Sequence, residues 1–331
     1  MFEIAELGQS VPNSEFKERE LELRTQLLTL QYRLHDDAEF PVLIDFAGVD
    51  GAGKGTTINM LNKWMDPRLL RTTGYLTPTE EERGRPRFWR YWRDLPPKGG
   101  IGLFLTGRYS KPLMDFVTGK ISELEFDDAL SQIIRFETAL VEDGALVLKF
   151  WMHLGSEQQK ERLEALSADP EQSYRVRDVD WENRERYKDF IRAAEKIVTR
   201  TSRGGAPWNI VEGLDPNYRH LRVGEIIVEE LSRHLDRSAG DGADSGSKSD
   251  GGNGSSKPEK LPPTVFDKLD LSLSVPKKQY RKQLTRAQSR LGELGRKAYE
   301  QGQSTVLVFE GPDASGKGGA IRRTVWSLDA R

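Results

Sequence analysis

The sequence predicts an α/β fold in which a parallel sheet is flanked by helices. Three observations support this prediction. Short apolar runs that suit buried strands alternate with longer amphipathic runs that suit helices. A glycine-rich segment follows the first apolar run and leads into a helical pattern. The same arrangement of helix, apolar run and glycine-rich segment then occurs a second time, which indicates a domain duplicated in tandem.

The elements of the first copy follow from the spacing of apolar residues, with short bounded runs assigned to strands and longer amphipathic runs to helices. The predicted strands span residues 42–47, 101–105, 145–153 and about 208–212. The predicted helices span about 14–34, a segment that starts near Lys54, and 123–142.

Residues 238–263 are rich in Gly, Ser, Asp, Lys and Pro and are nearly free of large apolar side chains. Such a composition buries too little surface to offset its ordering entropy, so we predict a flexible linker. The linker separates a first domain, 1–237, from the start of a second, 264–331. Because only 14 residues follow Lys317, we expect the second domain to be incomplete in this chain.

Composition excludes several classes of function. The chain of 331 residues contains no cysteine, which excludes disulfides, zinc-thiolate sites and thiol nucleophiles. Its N-terminus has no basic segment followed by an apolar one, and no run is long enough to span a bilayer, so we expect a cytoplasmic protein without a membrane partner. A net charge of -2 gives no global attraction to polyanions, and we expect no DNA partner.

The glycine-rich segment Gly48–Gly55 fits the P-loop pattern G-x-x-x-x-G-K, and it recurs as Gly311–Gly318 at an offset of 263 residues. A strand before it and a helix after it would direct backbone N–H groups and the helix dipole at a phosphate. The alternative, an ordinary turn with a solvated lysine, is disfavoured by the second occurrence. The predicted phosphate-binding residues are Gly51, Gly53, Lys54, Gly55 and Thr56, with Gly316, Lys317 and Gly318 in the second copy.

Both copies end the motif in glycine, where the common pattern has Ser or Thr. Without that hydroxyl, Mg²⁺ would be held by phosphate oxygens, water and a carboxylate of the loop. Asp50 and Asp313 occupy the same position in the two copies and are the candidate ligands. The alternative is that each aspartate stabilises its turn through a side-chain hydrogen bond.

A basic and aromatic cluster lies within residues 83–98 and allows two interpretations. It is either a surface that binds phosphate or an amphipathic element whose aromatic rings are buried. Its members are Arg83, Arg85, Arg87, Phe88, Trp89, Arg90, Tyr91, Trp92, Arg93 and Lys98.

Several separated motifs together resemble the type 2 polyphosphate kinase family. They are the loop G-x-D-x-x-G-K-G, the run FWRYWRDLPPKG at 88–99, DVDW at 178–181 and APWNIVE at 206–212. The duplication is similar to that of the fused two-domain members, the polyphosphate:AMP phosphotransferases. The resemblance covers residues 17–236 and 264–331.

The resemblance implies a P-loop kinase-like core with a helical lid. It also implies Mg²⁺-dependent transfer of a terminal phosphoryl group between polyphosphate and a nucleotide, with AMP to ADP expected. The lid would span about 156–200, with Arg175 and Arg177 facing the polyanion. The residues implied in catalysis are Asp50, Lys54, Arg90 and Arg93 of the first copy and Asp313 and Lys317 of the second.

The first copy departs from the family pattern at the end of one strand. Active members carry Asp-Arg there, whereas alignment on Tyr109 places Leu105 and Thr106 at these positions. We therefore expect the first copy to bind without catalysing and the second to be the active one. Two other functions stay open: an ATP-dependent nucleotide kinase of the adenylate or thymidylate type, and a non-catalytic binding module. The sequence also leaves the oligomeric state open, a homo-oligomer included.

Overall fold

A five-stranded parallel sheet forms the centre of residues 1–241, here called the N-terminal part. The computed structural model describes residues 1–37, 40–241, 274–312 and 314–329, and 274–329 are called the C-terminal part. The strands are β1 (Val42–Gly48), β2 (Leu70–Gly74), β3 (Ile101–Leu105), β4 (Leu146–His153) and β5 (Trp208–Glu212). Their order is β2-β3-β1-β4-β5, and all neighbouring pairs are parallel. The predicted α/β class with a parallel sheet is confirmed.

The longer helices lie on both faces of this sheet. The helices of the N-terminal part are α1 (Asn13–Asp36), α2 (Lys54–Trp64), α3 (Glu80–Arg83), α4 (Trp89–Arg93), α5 (Ser110–Val117), α6 (Glu123–Glu142), α7 (Ser156–Ala168), α8 (Asp178–Glu185), α9 (Tyr187–Thr201) and α10 (Pro216–Asp241). The C-terminal part contributes α11 (Lys277–Glu300) and α12 (Lys317–Val325).

The central strands are apolar along their length because both of their faces are covered. Every residue of β4 is buried, and Ile44 of β1 lies between Leu103 of β3 and Leu148 of β4. Helices α1, α2 and α10 pack over one face, and α5, α6 and α9 over the other. The sheet therefore holds the loops at its carboxyl edge on a rigid base.

The strand order reverses at one position along the carboxyl edge of the sheet. From β1 the chain passes through α2 to β2 and returns to β3 beside β1, and it then crosses to β4 on the opposite side. Ligands of open α/β sheets bind at the carboxyl ends of strands where the order reverses in this way. The segment that follows β1 begins at Gly48 and occupies this position.

The structure corrects two predictions about strands. Strand β2 was not predicted because LRTTG is a half-buried edge strand without an apolar run. Conversely, the apolar segment predicted as a strand before the second glycine-rich loop, 305–311, is not in a strand, and Val306 is 84% exposed. Strand β1 is held by ladders on both sides, whereas this segment has no pairing strand among the described residues.

Helix α10 continues to Asp241 and so includes the first four residues of the predicted linker 238–263. The remainder of that linker, and Asp313 of the second loop, lie outside the described residues. None of the helices in the described ranges is both long and apolar enough to cross a bilayer.

Candidate functional site

The segment Gly48–Gly55, called loop 1, leaves β1 and enters α2, and its backbone requires glycine. Gly48 has a φ of 126°, and a Cβ there would lie 2.0 Å from the carbonyl oxygen of Met152 on β4. Gly51 and Gly53 have φ values of 83° and 87°, in the left-handed region that side chains disfavour. The first N–H groups of α2 lack intrahelical acceptors and carry the positive end of the helix dipole. A helix start of this kind can accept an anion, and phosphate binding by loop 1 stays a prediction.

Lys54, the first residue of α2, turns back into loop 1. Its Nζ donates to the carbonyl oxygens of Gly48 at 2.7 Å and Val49 at 2.8 Å, and it lies 3.6 Å from Oδ1 of Asp50. The side chain is only 15% exposed. Its charge is therefore held at the centre of the loop, as a phosphate-binding lysine requires.

The predicted lid, 156–200, is helical and reaches loop 1. Asn183 on α8 donates to Oδ2 of Asp50 at 2.9 Å. Gln159 on α7 donates to the backbone oxygen of Asp50 at 3.1 Å. The carboxylate of Asp50 is therefore engaged by Lys54 and by the lid, and neither contact was predicted from the sequence.

The residues at loop 1 do not fit a Mg²⁺ site. Mg²⁺ requires several oxygen ligands in octahedral geometry, and Asp50 already serves Lys54 and Asn183. A Cβ at Gly55 would meet no atom within 4 Å, so the loop has space for a ligating hydroxyl but does not carry one. Among the described residues, no group of three or more His, Cys, Asp or Glu side chains is placed to hold a metal ion.

The end of β3 likewise supplies no metal ligand from the predicted Asp-Arg positions. Leu105, the last residue of β3, is buried in the core. Thr106 follows with a φ of 51°, an unfavourable conformation for a β-branched residue, and its Oγ1 donates to the carbonyl oxygen of Tyr75 at 2.8 Å. The predicted loss of both a carboxylate and a phosphate-binding arginine at this strand end therefore agrees with the geometry.

Arg108, two residues beyond Thr106, belongs to a buried charge network on the sheet face that α6 covers. It forms two hydrogen bonds with Asp45, the shorter of 2.6 Å, and one of 3.2 Å with Glu137. Glu137 also accepts from Lys149 at 2.7 Å. Burial raises the pKa of Asp45, which Arg108 opposes, and burial lowers the pKa of Lys149, which Glu137 opposes. Two cations and two carboxylates thus balance inside the core.

Two arginines of the basic and aromatic cluster, Arg90 and Arg93, are held by carboxylates. Arg90 lies 3.4 Å and Arg93 3.0 Å from Glu82, and Arg93 also pairs with Asp94 at 2.9 Å. Phe88 stacks on Phe136 of α6 at a centroid distance of 5.2 Å. Trp92, however, is 48% exposed, and α4 contributes no buried residue. Both interpretations of this cluster therefore stay open, and phosphate contacts by Arg90 and Arg93 stay predictions.

The two predicted lid arginines differ in their surroundings. Arg177 pairs with Asp180 at 3.0 Å. Arg175 is exposed and donates to the neutral side chain of Gln172 at 3.2 Å. Arg175 is therefore the better placed of the two to meet an anion, and a role for either in phosphate binding stays a prediction.

Arg219, which was not predicted from the sequence, lies behind loop 1 near the start of α10. Its guanidinium donates to Oγ1 of Thr56 at 3.1 Å, to Oγ1 of Thr57 at 3.2 Å and to the carbonyl oxygen of Gly213 at 2.6 Å. A Cβ at Gly53 would lie 2.3 Å from its Cζ. The residue is 2% exposed. No motif marks Arg219, because its proximity to loop 1 arises from the packing of α10 on α2.

The second glycine-rich segment, Gly311–Gly318, is called loop 2 and repeats the geometry of loop 1 in the residues that are described. Gly316 has a φ of 88° and immediately precedes α12. Nζ of Lys317 donates to the carbonyl oxygens of Gly311 at 2.5 Å and Pro312 at 2.8 Å. These contacts correspond to those of Lys54 with Gly48 and Val49.

Fold and loop geometry together define an α/β protein with a glycine-rich loop at the carboxyl edge of a parallel sheet. Residues 11–238 and 274–331 match the family model of polyphosphate kinase 2. The chain belongs to the polyphosphate kinase 2 family, which confirms the resemblance seen in the sequence.

Two curated relatives, both named polyphosphate:AMP phosphotransferase, align over the whole chain. The protein of Pseudomonas aeruginosa is 43% identical, and the chain covers 66% of it. That of Pseudomonas syringae pv. tomato is 39% identical, and the chain covers 65% of it. The chain therefore spans slightly less than two thirds of the length of these relatives.

Solved structures of the family are also similar. A polyphosphate kinase 2 crystal structure from Pseudomonas aeruginosa superposes with a TM-score of 0.65 at 41% identity, over 99% of this chain and 63% of that one. The polyphosphate kinase 2 of Arthrobacter aurescens TC1 gives a TM-score of 0.65 at 25% identity, over 69% of this chain and 82% of that one.

Proposed function

We propose that the protein containing this chain transfers a terminal phosphoryl group from polyphosphate to AMP and forms ADP. An oxygen of the AMP phosphate attacks the terminal phosphorus, the bond to the bridging oxygen breaks, and the polyphosphate shortens by one unit. Such transfer needs positioned cations and backbone donors more than covalent protein chemistry. Family membership and the names of both full-length matches support this proposal.

The observation that carries the proposal is the shared geometry of loops 1 and 2, each with a lysine at the start of its helix. We interpret it as a tandem duplication of a P-loop kinase-like domain, with a first domain of 1–237, a linker of 238–263 and a second domain that begins at 264. The separate matches of the family model to residues 11–238 and 274–331 support this interpretation.

We assign phosphoryl transfer to the second domain and phosphate binding to the first. In the part of the chain that the structure describes, the carboxylate of Asp50 is engaged by Lys54 and Asn183, and β3 ends at Leu105 and is followed by Thr106. The transfer is proposed to depend on Mg²⁺ carried by phosphate oxygens, with Asp313 as the candidate protein ligand. Lys317, Gly316 and Gly318 would position the transferred group.

The donor and the division of labour can be tested together in the natural protein that contains these residues. ADP formation from AMP is measured with polyphosphate or with ATP as the sole donor. We expect turnover with polyphosphate only, and turnover with ATP alone would instead indicate a nucleotide kinase of the adenylate type.

Lysine variants then separate the two domains. Lys317→Ala should lower kcat by about 100-fold or more, the scale of losing one transition-state donor, whereas Lys54→Ala should lower it less than about 10-fold. Equal losses from both variants would contradict the assignment of transfer to the second domain. If neither donor supported turnover while polyphosphate still bound, the chain would belong to a non-catalytic binding protein.

A further inference from the structure

Arg219 is a buried cation without a buried counter-charge. Its guanidinium contacts two threonine hydroxyls and a backbone carbonyl, all of them neutral, and lies 3.4 Å from Nε2 of His220. Among the described residues, no carboxylate forms an ion pair with it. A charge removed from water in this way is costly unless an anion accompanies it. The same guanidinium lies against Gly53, at the start of α2, where loop 1 would hold a phosphate.

Two further arginines are close to Arg219 and to loop 1. The stem of Arg162 on α7 borders Gly51, where a Cβ would lie 3.6 Å from its Cγ. Burial lowers the pKa of Arg162, and the nearby charge of Arg175 lowers it further. Burial lowers the pKa of Arg219 to about 9; Arg162 and Arg175 add to this effect, and the half-buried Asp215, which forms no ion pair with Arg219, opposes it. The three guanidinium groups therefore repel one another across one small region.

These three arginines differ from others near the site. Arg90, Arg93 and Arg177 each have a carboxylate within ion-pairing distance. In the part of the chain that the structure describes, no such partner pairs with Arg162, Arg175 or Arg219. Uncompensated cations around an anion-binding loop indicate that the anion itself supplies the missing negative charge.

We propose that loop 1 binds the end of an oligophosphate directly, without Mg²⁺, and that the bound anion is the counter-charge of Arg219 and Arg162. The inference rests on the proposed phosphate-binding role of the first domain and deepens it. Arg219 acts as a positioning residue: it holds Thr56, Thr57 and the start of α2, and its charge adds to that of Lys54.

Direct neutralisation by fixed arginines also agrees with the division of labour between the domains. Cations that bind the resting oligophosphate as well as any later species give affinity without lowering a reaction barrier. A loop of this kind retains the polymer while chemistry proceeds elsewhere. Among the described residues, no group of three or more His, Cys, Asp or Glu side chains is placed there to hold a metal ion.

The test is calorimetric titration of the whole 331-residue chain with tripolyphosphate at constant ionic strength, in EDTA and in excess Mg²⁺. All proteins carry Lys317→Ala, so that loop 2 contributes little. We expect binding with one site per chain in EDTA and weaker binding in Mg²⁺, because the cation competes with the arginines for phosphate oxygens. Binding that appears only with Mg²⁺ would overturn the inference.

Asp50→Asn distinguishes metal-dependent binding of tripolyphosphate from neutralisation by the arginines, because the two predict opposite changes in affinity. If Asp50 brings a metal to the phosphate, the variant should lose binding in Mg²⁺. If the arginines neutralise the phosphate, the variant should bind at least as tightly as its parent in EDTA, because a negative charge has been removed from the loop. Loss of binding in both buffers would count against the proposal.

Arg219→Met should weaken binding about 10-fold or more, and Arg219→Lys should recover part of this loss because it restores the charge. Arg192→Met, which removes an exposed arginine of α9 paired with Asp189, is the matched control and should bind like the parent. Thermal unfolding without ligand reports whether each variant is folded. If Arg219→Met is unfolded, a folded Arg219→Lys decides the question. Weakened but measurable binding would support the role of Arg219, and unchanged or abolished binding would refute it.

Different outcomes would contradict the proposed phosphate binding by the first domain and the proposed metal-free site. No binding by the parent in either buffer would contradict phosphate binding by the first domain. Binding that requires Mg²⁺, or that ignores Arg219, would contradict only the metal-free site. AMP and ADP, titrated under the same conditions, establish whether the site takes an oligophosphate or a nucleotide phosphate.

Discussion

The side-chain amide of Asn183 lies 2.9 Å from the carboxylate of Asp50, and this bond joins helix α8 of the predicted lid to loop 1. A hydrogen bond to a charged group stabilises by about 1.5–3 kcal/mol, which is enough to bias the position of a helix on its neighbour. The lid and the loop are thereby coupled at the residue where sequence alone would place a metal ligand.

The first prediction concerns this contact. Asn183→Ala should free α8 from loop 1, and Asn183→Asp should free it further because two carboxylates would repel each other. Amide hydrogen exchange in α8 should accelerate about 10-fold in the alanine variant and more in the aspartate variant. Equal exchange in all three proteins would show that α8 is held by other contacts.

The second prediction concerns the buried network of Arg108, Asp45, Glu137 and Lys149. Removing one charge leaves the core with an uncompensated ion, so Arg108→Met and Asp45→Leu should each lower the free energy of unfolding by about 3–5 kcal/mol. The double variant leaves Glu137 and Lys149 as a balanced pair and should cost clearly less than the sum. Urea unfolding followed by tryptophan fluorescence measures this, because six of the seven tryptophans precede residue 242. Strict additivity would mean that the two side chains do not interact.

The third prediction tests the strain at Thr106. Both Thr106→Ala and Thr106→Gly lose the hydrogen bond to Tyr75, but only glycine tolerates a φ of 51° without strain. The glycine variant should therefore be more stable than the alanine variant by about 1 kcal/mol. The same urea experiment gives the difference, and an alanine variant of equal or greater stability would contradict it.

The fourth prediction concerns acid stability. Burial lowers the pKa of His220 from an ordinary 6.5 to about 3, and the adjacent charge of Arg219 contributes. As the pH falls below 6.5, the unfolded chain takes up a proton on His220 while the folded chain does not. The contribution to stability is thus present above 6.5 and is lost as the pH falls, by about 1.4 kcal/mol per pH unit.

His220→Gln should remove this dependence. Between pH 6.5 and about pH 5 the unmodified chain should lose about 2 kcal/mol more than the variant. His35→Gln, which changes an exposed histidine at the end of α1, is the control and should behave like the unmodified chain. Parallel pH profiles for His220→Gln and the unmodified chain would refute the assignment.

Features encoded by neighbouring residues could be predicted, and those created by distant packing could not. Loop 1 was recognisable because its glycines, Lys54 and the adjoining strand and helix are contiguous. The four predicted strands, which are buried or nearly so, were recognised from their apolar runs. By contrast, Arg219 contacts Thr57, which is 162 residues away in the sequence, and no local sequence pattern predicts a guanidinium group behind loop 1.

The basic and aromatic cluster is a second case in which contacts with other parts of the chain cannot be predicted from the sequence. Its sequence suits phosphate binding and core packing equally, and the choice depends on what lies opposite. Glu82 lies beside Arg90 and Arg93 and forms ion pairs with them. Phe88 packs on Phe136 of α6. Asp50 stands out in the sequence because Asp313 repeats it, but its partner Asn183 comes from a helix 133 residues away.

The apolar segment that precedes loop 2 has a practical consequence for handling the polypeptide. Val306, Leu307 and Val308 are 84%, 57% and 75% exposed, and no described strand pairs with them. An uncovered β-prone segment of this kind is a template for pairing between molecules and promotes aggregation. We therefore expect solutions of these 331 residues to become turbid with rising concentration. Replacing Val308 by lysine should delay this turbidity without altering the core of the N-terminal part.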